Sequence, residues 1–480
     1  KEQPKINAKV GIDKGSYTYY GTINYYDGVI ISKTIENCIV LDDVEDGYTL
    51  VENSTDDGYK IELSNTTHLV SLESTNKNYT SIQEAFTEAS TNDKITLLRK
   101  VILPRTTSSI TIPETKEIIF DLNGYEFRTN KTVLIYNNGT LKITGESGTL
   151  KSTIQTIDNK TTGILNKEGN CTITGSGQYS TIYNSGKMTL TEGLITSDVY
   201  GGIYNQNPGQ VIVNGGKIET PKVSINTWSN VNTENLENVE ITEKEFAVLI
   251  NDGEIKSETA NAITNYSEGG AVCVNGGYIY SSQTEDMPTI YNETGVIKIL
   301  AGTIISENDR AVCNYKKEEI TEDENEINGG EIIITGGELI GKVGVQNIEN
   351  STLTIGTDDN DISTSSPIIK GKEYGVLNAG NFNYYDGVIQ GKTNAISITG
   401  GININVPKDY EITYNTETIT ENGNQANYEV ARLNKIKPQA CKINYYDGTT
   451  LLGNSEYIPE TEFVLNKFQV EAPLLLQSAK

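Results

Sequence analysis

The chain has 480 residues and a formal net charge of −26 at neutral pH, and hydrophobic residues make up only 36% of it. Such an acidic chain lacks the Lys and Arg excess that a nucleic-acid backbone requires, so we expect no nucleic-acid partner. No apolar run reaches the ~18 residues of a membrane-spanning helix, so we expect no membrane insertion.

Two distant segments of the chain carry the same seven residues. The phrase Asn-Tyr-Tyr-Asp-Gly-Val-Ile occupies residues 24–30 and 383–389, and a shorter copy occupies residues 444–448. We therefore predict that residues 1–65 are the last coil and cap of one module and that residues 66–436 form the next. The parent chain would then hold modules of the same kind in tandem, and this sequence would be an internal fragment of it.

Residues 66–127 form the predicted N-terminal cap of the main module. Within them, residues 81–89 have the pattern of a short helix, with Ser81 and Glu84 at capping-box spacing. The apolar residues of this helix would share one face and pack against the first strands. They are Ile82, Ala85, Phe86 and Ala89.

Residues 128–400 contain the repeat that we predict to form the coils. A phrase ending in Ile or Val, a variable residue and Asn recurs at residues 134–137, 163–166, 181–184, 202–205, 262–265, 289–292, 311–314, 344–347 and 375–378. Two alternating apolar residues, a glycine turn and a third apolar residue follow, as in Ile332, Ile334 and Leu339. The clearest step is 21 residues, from Asn184 to Asn205 and on to a looser copy at Asn226.

Alternation with a period of two indicates strands, and such short strands cannot bury their apolar faces unless copies stack on one another. We therefore predict an all-β fold, a right-handed parallel β-helix (solenoid) with a short N-terminal capping helix and small β caps. The recurring Asn has two interpretations: an internal ladder of amides, or a residue that tolerates a left-handed turn. Residues 227–244 would be an outward insertion at one corner.

These phrases, with the helix at residues 81–89, resemble bacterial cell-surface adhesins of the right-handed parallel β-helix type, an architecture of the pectate-lyase-like superfamily. The resemblance covers roughly residues 80–400. It implies a fold and a surface setting and leaves the function open, because one fold serves many functions.

The composition of the chain changes after the predicted coils. Residues 401–436 carry few glycines and none of the coil phrases, so we predict a small β cap there. Residues 437–480 begin with the third copy of the shared phrase and then diverge, which favours the start of a following small β module.

The chain offers little for catalysis. His68 is the only histidine and lies in a polar linker, so no nucleophile and base can be arranged around it. The acidic run at residues 358–361 is either a Ca²⁺ loop or a solvated turn, and it lacks the ordered EF-hand spacing. The cysteines are too widely spaced for a metal site or a disulfide framework, which favours core thiols: Cys38, Cys171, Cys273, Cys313 and Cys441. We therefore expect no catalytic residue, no cofactor and no metal ion.

Four tyrosines share one position of the repeat, next to an inward Ile, so their side chains should point outward: Tyr136, Tyr183, Tyr204 and Tyr291. Such a column would suit a glycan, or it would cover a flat sheet face or support a flanking loop. These four are the candidate glycan-contacting residues, with a host or environmental glycan or a protein as the ligand.

These features favour a structural and adhesive module, a stalk or display solenoid, of a large secreted protein on the surface of a Gram-positive bacterium. The alternatives are a polysaccharide lyase or hydrolase on the same fold, and a phage tail fibre or spike. Carboxylates, Arg and Lys clustered on adjacent coils, together with Ca²⁺, would favour the enzyme.

Overall fold

A computed structural model describes residues 68–103, 109–129, 133–231, 246–283, 286–315, 329–359, 361–421, 423–437 and 440–457, together with the backbone of six strands before residue 65. The described chain is nearly all β-structure and forms a parallel β-solenoid of about 11 turns. This confirms the predicted solenoid. Cys38 lies outside the described residues, as does residue 360 of the acidic run.

Each turn of the solenoid contributes a strand to three parallel sheets, A, B and C. The separate strands of sheet A are Ile110–Ile112, Val133–Asn137, Gln155–Asn159, Ile182–Asn184, Ile203–Gln206, Ile225–Trp228, Ile263–Asn265, Ile290–Asn292, Arg310–Asn314 and Asn394–Ile398. Those of sheet B are Asp93–Leu97, Glu117–Asp121, Thr140–Thr144, Ile164–Lys167, Lys187–Leu190, Glu331–Ile334, Thr352–Ile355, Asn381–Tyr384 and Ile404–Asn405. Those of sheet C are Val101–Leu103, Glu126–Thr129, Thr149–Ser152, Thr172–Gly175, Leu194–Ser197 and Val388–Gly391.

Longer strands run across a corner and belong to two sheets. Four of them join sheets B and C: Gln210–Thr220, Val248–Ser257, Ala271–Ser281 and Val296–Ser306. Two others join sheets C and A: Glu338–Asn347 and Ile368–Asn378. The glycines turn the chain at the first of these corners. Gly277, for example, has φ +80°, and a Cβ there would lie 2.8 Å from the carbonyl oxygen of Gly253 on the preceding turn.

The inward residues form the core as predicted. Ile332, Ile334 and Leu339 are fully buried, and the equivalent Ile, Val and Leu residues of the other turns pack in the same cluster. The alternation places one residue inward and the next outward, so each sheet buries a column of apolar side chains against the other two sheets. This continuous core requires only neighbouring turns, which is why its length is not limited by the size of a compact domain.

The recurring asparagines form an internal ladder at the corner between sheets A and B. Asn137 donates its Nδ2 to Oδ1 of Asn159 at 2.7 Å, Asn159 does the same to Asn184, and Asn184 to Asn205. Further on, the chain of amides runs through Asn265, Asn292, Asn314, Asn347 and Asn378. All of these side chains are buried, and none of these residues has a positive φ. The ladder interpretation is therefore confirmed, and the left-handed-turn interpretation is wrong.

Two assignments within the repeat are wrong. Residues 163–166 are not a sheet A copy: Leu165 pairs with Leu141 in sheet B, and the ladder position of that turn is held by Asn159. Asn226 is not a ladder residue either, because Thr227 pairs with Asn205 and accepts its Nδ2 at 3.0 Å. Both errors arise because similar short phrases occur on different strands, and only the pairing register separates them.

The insertion predicted at residues 227–244 is wrong at its start. Thr227 and Trp228 end the sheet A strand Ile225–Trp228, and the chain leaves the sheet after that strand. Residues 232–245 lie outside the described residues. A small apolar cluster lies outside the main core in the neighbouring turns, on Ile212, Phe246, Leu249, Ala271 and Cys273.

The first turn is closed by a cap of strands Val70–Leu72 and Lys77–Tyr79 and helix Ile82–Glu88. Ser81 begins the helix, and its Oγ accepts the backbone N–H of Glu84 at 3.3 Å. The buried Phe86 ring meets the edge of Phe120 with 5.3 Å between centroids. The capping helix predicted at residues 81–89 is therefore confirmed, one residue shorter at each end.

The last turn is covered by a hairpin of strands Tyr410–Glu421 and Asn424–Lys435, which pairs antiparallel with Val388–Gly391. Tyr384 is fully buried beneath it and donates its hydroxyl to the carbonyl oxygen of Ala431 at 3.0 Å. A separate hairpin follows, formed by strands Cys441–Asp447 and Thr450–Tyr457. Cys441 is exposed there, so the expectation of a core thiol is wrong for this residue.

The strands before residue 65 are Lys5–Val10, Asn24–Tyr25, Val29–Thr34, Asp43–Val44, Thr49–Thr55 and Gly58–Ser64. Val29–Thr34 pairs in parallel with Lys5–Val10 and antiparallel with Gly58–Ser64, which continues into a hairpin with Thr49–Thr55. Val388–Gly391 has the same arrangement, with a parallel partner on one side and the antiparallel cap hairpin on the other. The tandem arrangement of modules stays a prediction about the parent chain.

Candidate functional site

The four predicted tyrosines lie half-buried on the outer face of sheet A, but they do not form one continuous column. Tyr183 stacks on Tyr204, with ring centroids 5.0 Å apart. Asp158 separates Tyr136 from this pair, and Asn226 and Thr264 separate the pair from Tyr291. Tyr136 instead lies under the Nζ of Lys160, 5.2 Å from its ring centroid.

A longer run of aromatic rings lies further along the same sheet, and we call it the aromatic stripe. It consists of Trp228, Tyr266, Tyr291 and Tyr315. Successive ring centroids are 4.9, 5.2 and 5.4 Å apart, so the stripe crosses four consecutive turns of the solenoid. The two end residues, Trp228 and Tyr315, are 44% and 38% exposed.

Ring packing in the stripe limits how a ligand could use it. The Trp228 and Tyr266 rings are inclined by only 25°, so one face of each is occupied by the other. Ring edges and hydroxyls therefore make up most of what the stripe offers to a ligand. Burial raises the pKa of Tyr266 and, more strongly, that of Tyr291, so both phenols are neutral at physiological pH.

A charged cleft lies beyond the stripe, at the corner between sheets C and A, and we call it the Arg310 cleft. Its volume is about 540 Å³, and its lining comes from three successive turns and one overhanging loop. The lining residues are Asp286, Asn308, Asp309, Arg310, Lys342, Val343, Gln346, Glu373, Tyr374 and Leu377.

The strands explain why the cleft forms at this corner. Earlier turns place a loop between sheets C and A, whereas Glu338–Asn347 and Ile368–Asn378 cross the corner as single strands. As a result, the register pairs Arg310 with Val343, and Val343 with Tyr374 on the next strand. The loop before Ile290 carries Asp286, with an 82% exposed side chain, to the guanidinium of Arg310 and so forms one wall.

Arg310 organises the polar side of the cleft, although it is only 7% exposed. Its Nε donates to Oδ1 of Asp309 at 2.7 Å, its Nη1 to Oε1 of Gln346 at 2.8 Å, and its Nη2 to Oδ1 of Asp286 at 2.6 Å. A buried guanidinium is stable only when its charge and its N–H groups are matched in this way. The arrangement holds two carboxylates and one amide in fixed positions around the cleft.

Cys313 connects the stripe to the cleft. It pairs with Tyr291 on one side and with Gln346 on the other, and its Sγ lies 3.8 Å from Oε1 of Gln346. Burial raises the pKa of this thiol to about 12, so it is protonated and a weak nucleophile. The aromatic stripe and the Arg310 cleft are therefore neighbours on the outer face of sheet A, with Cys313 between them.

The other sequence candidates lie elsewhere. His68 is exposed, just before the first cap strand. Asp386 lies near Asp359 and Asp361 of the acidic run. Its carboxylate accepts the backbone N–H groups of Thr357 and Ser363, and burial raises its pKa. Within the described ranges, no three His, Cys, Asp or Glu side chains form a group that could hold a metal ion. In the same ranges, no helix is long and apolar enough to span a membrane.

One lysine lies where an apolar residue is expected. Lys167 is fully buried in sheet B, between Ile143 and Leu190 of the neighbouring turns. Its Nζ donates to the carbonyl oxygens of Gly169 and Glu192 at 2.7 and 3.0 Å, and burial lowers its pKa. The amine is therefore tied to the corner between sheets B and C and faces the core.

Comparison of the chain with protein-family models, with curated protein sequences and with solved structures found no match. The evidence for function therefore lies in the fold and in two surface features, the aromatic stripe and the Arg310 cleft.

The Arg310 cleft was missed in the sequence, although its residues are conspicuous in hindsight. Arg310 is the only Arg between residues 129 and 431, and the repeat places it directly before the phrase at residues 311–314. A positively charged residue directly before this phrase was the feature of the sequence that could have indicated the cleft. Its partners Asp286 and Gln346 lie on other turns, at distances along the chain that vary from turn to turn.

Proposed function

We propose that the protein is a structural and display module of a bacterial cell-surface protein, secreted and extracellular, in which the solenoid acts as a stiff spacer. The single observation that carries this proposal is the uninterrupted internal architecture. About 11 turns share one apolar core, and both ends of that core are covered by caps. At ~4.8 Å per turn, the coils alone span roughly 50 Å.

The interior supports a mechanical role. Every described turn is joined to the next by parallel backbone pairing, and most are also joined by the asparagine ladder. Hydrogen-bonded amides fix the register of stacked turns, because a slip would leave buried polar groups without partners. The net charge of −26 would keep neighbouring rods apart and soluble.

Small-angle X-ray scattering on the 480-residue chain tests the spacer proposal. We expect a radius of gyration well above the ~23 Å of a compact chain of this length, with a pair-distance distribution skewed towards long distances. A value near ~23 Å with a symmetric distribution would contradict the proposal.

A second candidate function, a polysaccharide-active enzyme, is favoured by one observation. The Arg310 cleft collects carboxylates, an Arg and a Lys on adjacent turns, and paired carboxylates are the groups that cleave glycosidic bonds. Incubation with pectin, alginate, hyaluronan and neutral glucans, with and without Ca²⁺, tests it through the release of reducing ends. We expect no release of reducing ends. If the parent chain releases them and the Asp309→Asn variant does not, the enzyme replaces the spacer as the proposed function.

A further inference from the structure

We propose that the Arg310 cleft is a binding site for a neutral saccharide. The inference goes beyond the spacer role and is independent of it, since a rod with an empty cleft would still be a rod. It rests on three features of the cleft: its size, its balance of donors and acceptors, and an aromatic ring in its lining.

The size of the cleft suits a small ligand or one or two residues of a chain. Its volume of about 540 Å³ lies within the ~300–1,000 Å³ range of small-molecule sites. Because register partners lie on successive strands, the lining extends over three turns along the solenoid axis.

The charges of the cleft disfavour an ionic ligand. Three carboxylates (Asp286, Asp309 and Glu373) face two cations (Arg310 and Lys342), which leaves a formal charge of −1. These groups are already paired, Arg310 with the two aspartates and Lys342 with Glu373 at 3.6 Å. An anion would find no uncompensated cation, and a chain of net charge −26 would repel it.

A hydroxyl is the group that fits such paired charges. It donates to a carboxylate and accepts from an ammonium or guanidinium at the same time, so it bridges an ion pair without breaking it. Asp286 and Glu373 keep accepting capacity on the open side of the cleft, and Lys342, whose side chain is 51% exposed, keeps donors. Several hydroxyls in a row would satisfy this alternation, and a neutral saccharide carries them.

Tyr374 supplies the apolar surface that a sugar ring also needs. It is half-buried in the cleft lining, on the strand that follows Val343 in the register, and in the described part of the chain no ring stacking or cation contact is found on its ring. The C–H face of a pyranose packs on such a ring while its equatorial hydroxyls reach the surrounding polar groups. This platform differs from the stripe, where neighbouring rings occupy one another's faces.

Ligand-observed NMR and calorimetric titration of the whole chain test the proposal. The probes are neutral tetrasaccharides (cellotetraose, maltotetraose, mannotetraose, xylotetraose and chitotetraose), with tetragalacturonate as the anionic comparator and a neutral polar tetrapeptide as the peptide comparator. We expect at least one neutral tetrasaccharide to bind with a Kd of around 1 mM or tighter. We expect tetragalacturonate and the peptide to bind more weakly.

Variants locate the binding. Asp286→Ala and Tyr374→Leu should each weaken it by about tenfold or more, whereas Tyr374→Phe should retain most of it because the ring remains. The matched controls are Asp252→Ala and Tyr179→Ala, at exposed residues outside the cleft, which should bind as the parent does. Unfolding midpoints of all variants show that the fold is intact.

Three results would overturn the proposal. The first is that no neutral tetrasaccharide binds the parent chain. The second is that tetragalacturonate or the peptide binds more tightly than every neutral saccharide. The third is that Asp286→Ala and Tyr374→Leu, with parent-like unfolding midpoints, leave the affinity unchanged.

Discussion

Sheet A carries two columns of side chains that repeat once per turn, and they behave differently. The inner column is asparagine, and it continues through most turns with Nδ2 to Oδ1 distances between 2.7 and 3.1 Å. The outer column begins with tyrosine but includes Asp158, Asn226, Thr264, Cys313 and Gln346. Inside the solenoid, a polar residue without its partner is costly, so the column must continue. The outer positions form no continuous chain of hydrogen bonds, so each outer side chain needs only a compatible neighbour, and residues of different chemistry occur there.

The largest expected effect comes from a charge placed in the core. Ile334→Asp puts a carboxylate without a partner into the inner apolar column, and this should lower the free energy of unfolding by about 3–5 kcal/mol. Thr354→Asp is the control, because Thr354 points outward and already accepts a hydrogen bond from Asn383 at 3.1 Å. It should cost less than ~1 kcal/mol. Equal urea midpoints for the two variants would show that inward and outward positions are wrongly assigned.

The second effect breaks the inner column itself. Asn184→Ala removes the donor to Asn205 and the acceptor of Asn159, and buried groups left without partners cost about 1–3 kcal/mol. Asn184→Thr should lose clearly less, since Thr227 holds the same position in a later turn and accepts the amide of Asn205. Urea unfolding of both variants is the measurement. If the ladder does not contribute to stability, both variants will unfold at the urea midpoint of the parent chain.

The third effect concerns the N-terminal cap and its pH dependence. Burial raises the pKa of Asp93, but hydrogen bonds from Ser74, Ser90 and Lys94 outweigh it, so the pKa lies below its usual value. The stabilisation is therefore complete above the ordinary Asp pKa of about 3.9 and is lost as the pH falls through the lowered value.

Replacement of this carboxylate by an amide isolates the contribution. Asp93→Asn should destabilise the cap by about 1–2 kcal/mol at pH 7. The difference from the parent should shrink as the pH falls below about 3.9 and the parent carboxyl becomes protonated. Amide hydrogen exchange in strand Val70–Leu72 reports the cap directly. A difference that is the same at pH 7 and at pH 2.5 would contradict the assignment.

The smallest effect comes from the outer column. Tyr204→Asn copies the residue that the next turn already has at this position, Asn226, and it removes the stack on Tyr183. Aromatic pairs of this kind contribute about 0.5–1.5 kcal/mol beyond their buried area, so the loss should stay close to that range. A loss as large as that of Asn184→Ala would remove the distinction between the two columns.

Much of the candidate site could not be predicted from the sequence. The outward position of the four tyrosines follows from strand alternation, but their neighbours depend on the register. Tyr266 comes one residue after a ladder asparagine, yet its ring packs between Trp228 and Tyr291 and completes the stripe. The Arg310 cleft depends on Asp286 and Tyr374, which lie in different turns, and loops of unequal length separate those turns.

The sequence by itself determined the strands, the inward columns, the capping helix and the presence of repeating turns. These depend on alternation and on local capping, and both act between residues close together in the chain. The tertiary structure decided which turn each phrase belongs to, as the phrase at residues 163–166 shows by pairing in sheet B. It also decided that Arg310 gathers Asp286, Asp309 and Gln346 around one cleft. The physical reason is that contacts between turns depend on the stacking register, which loops of variable length conceal in the sequence.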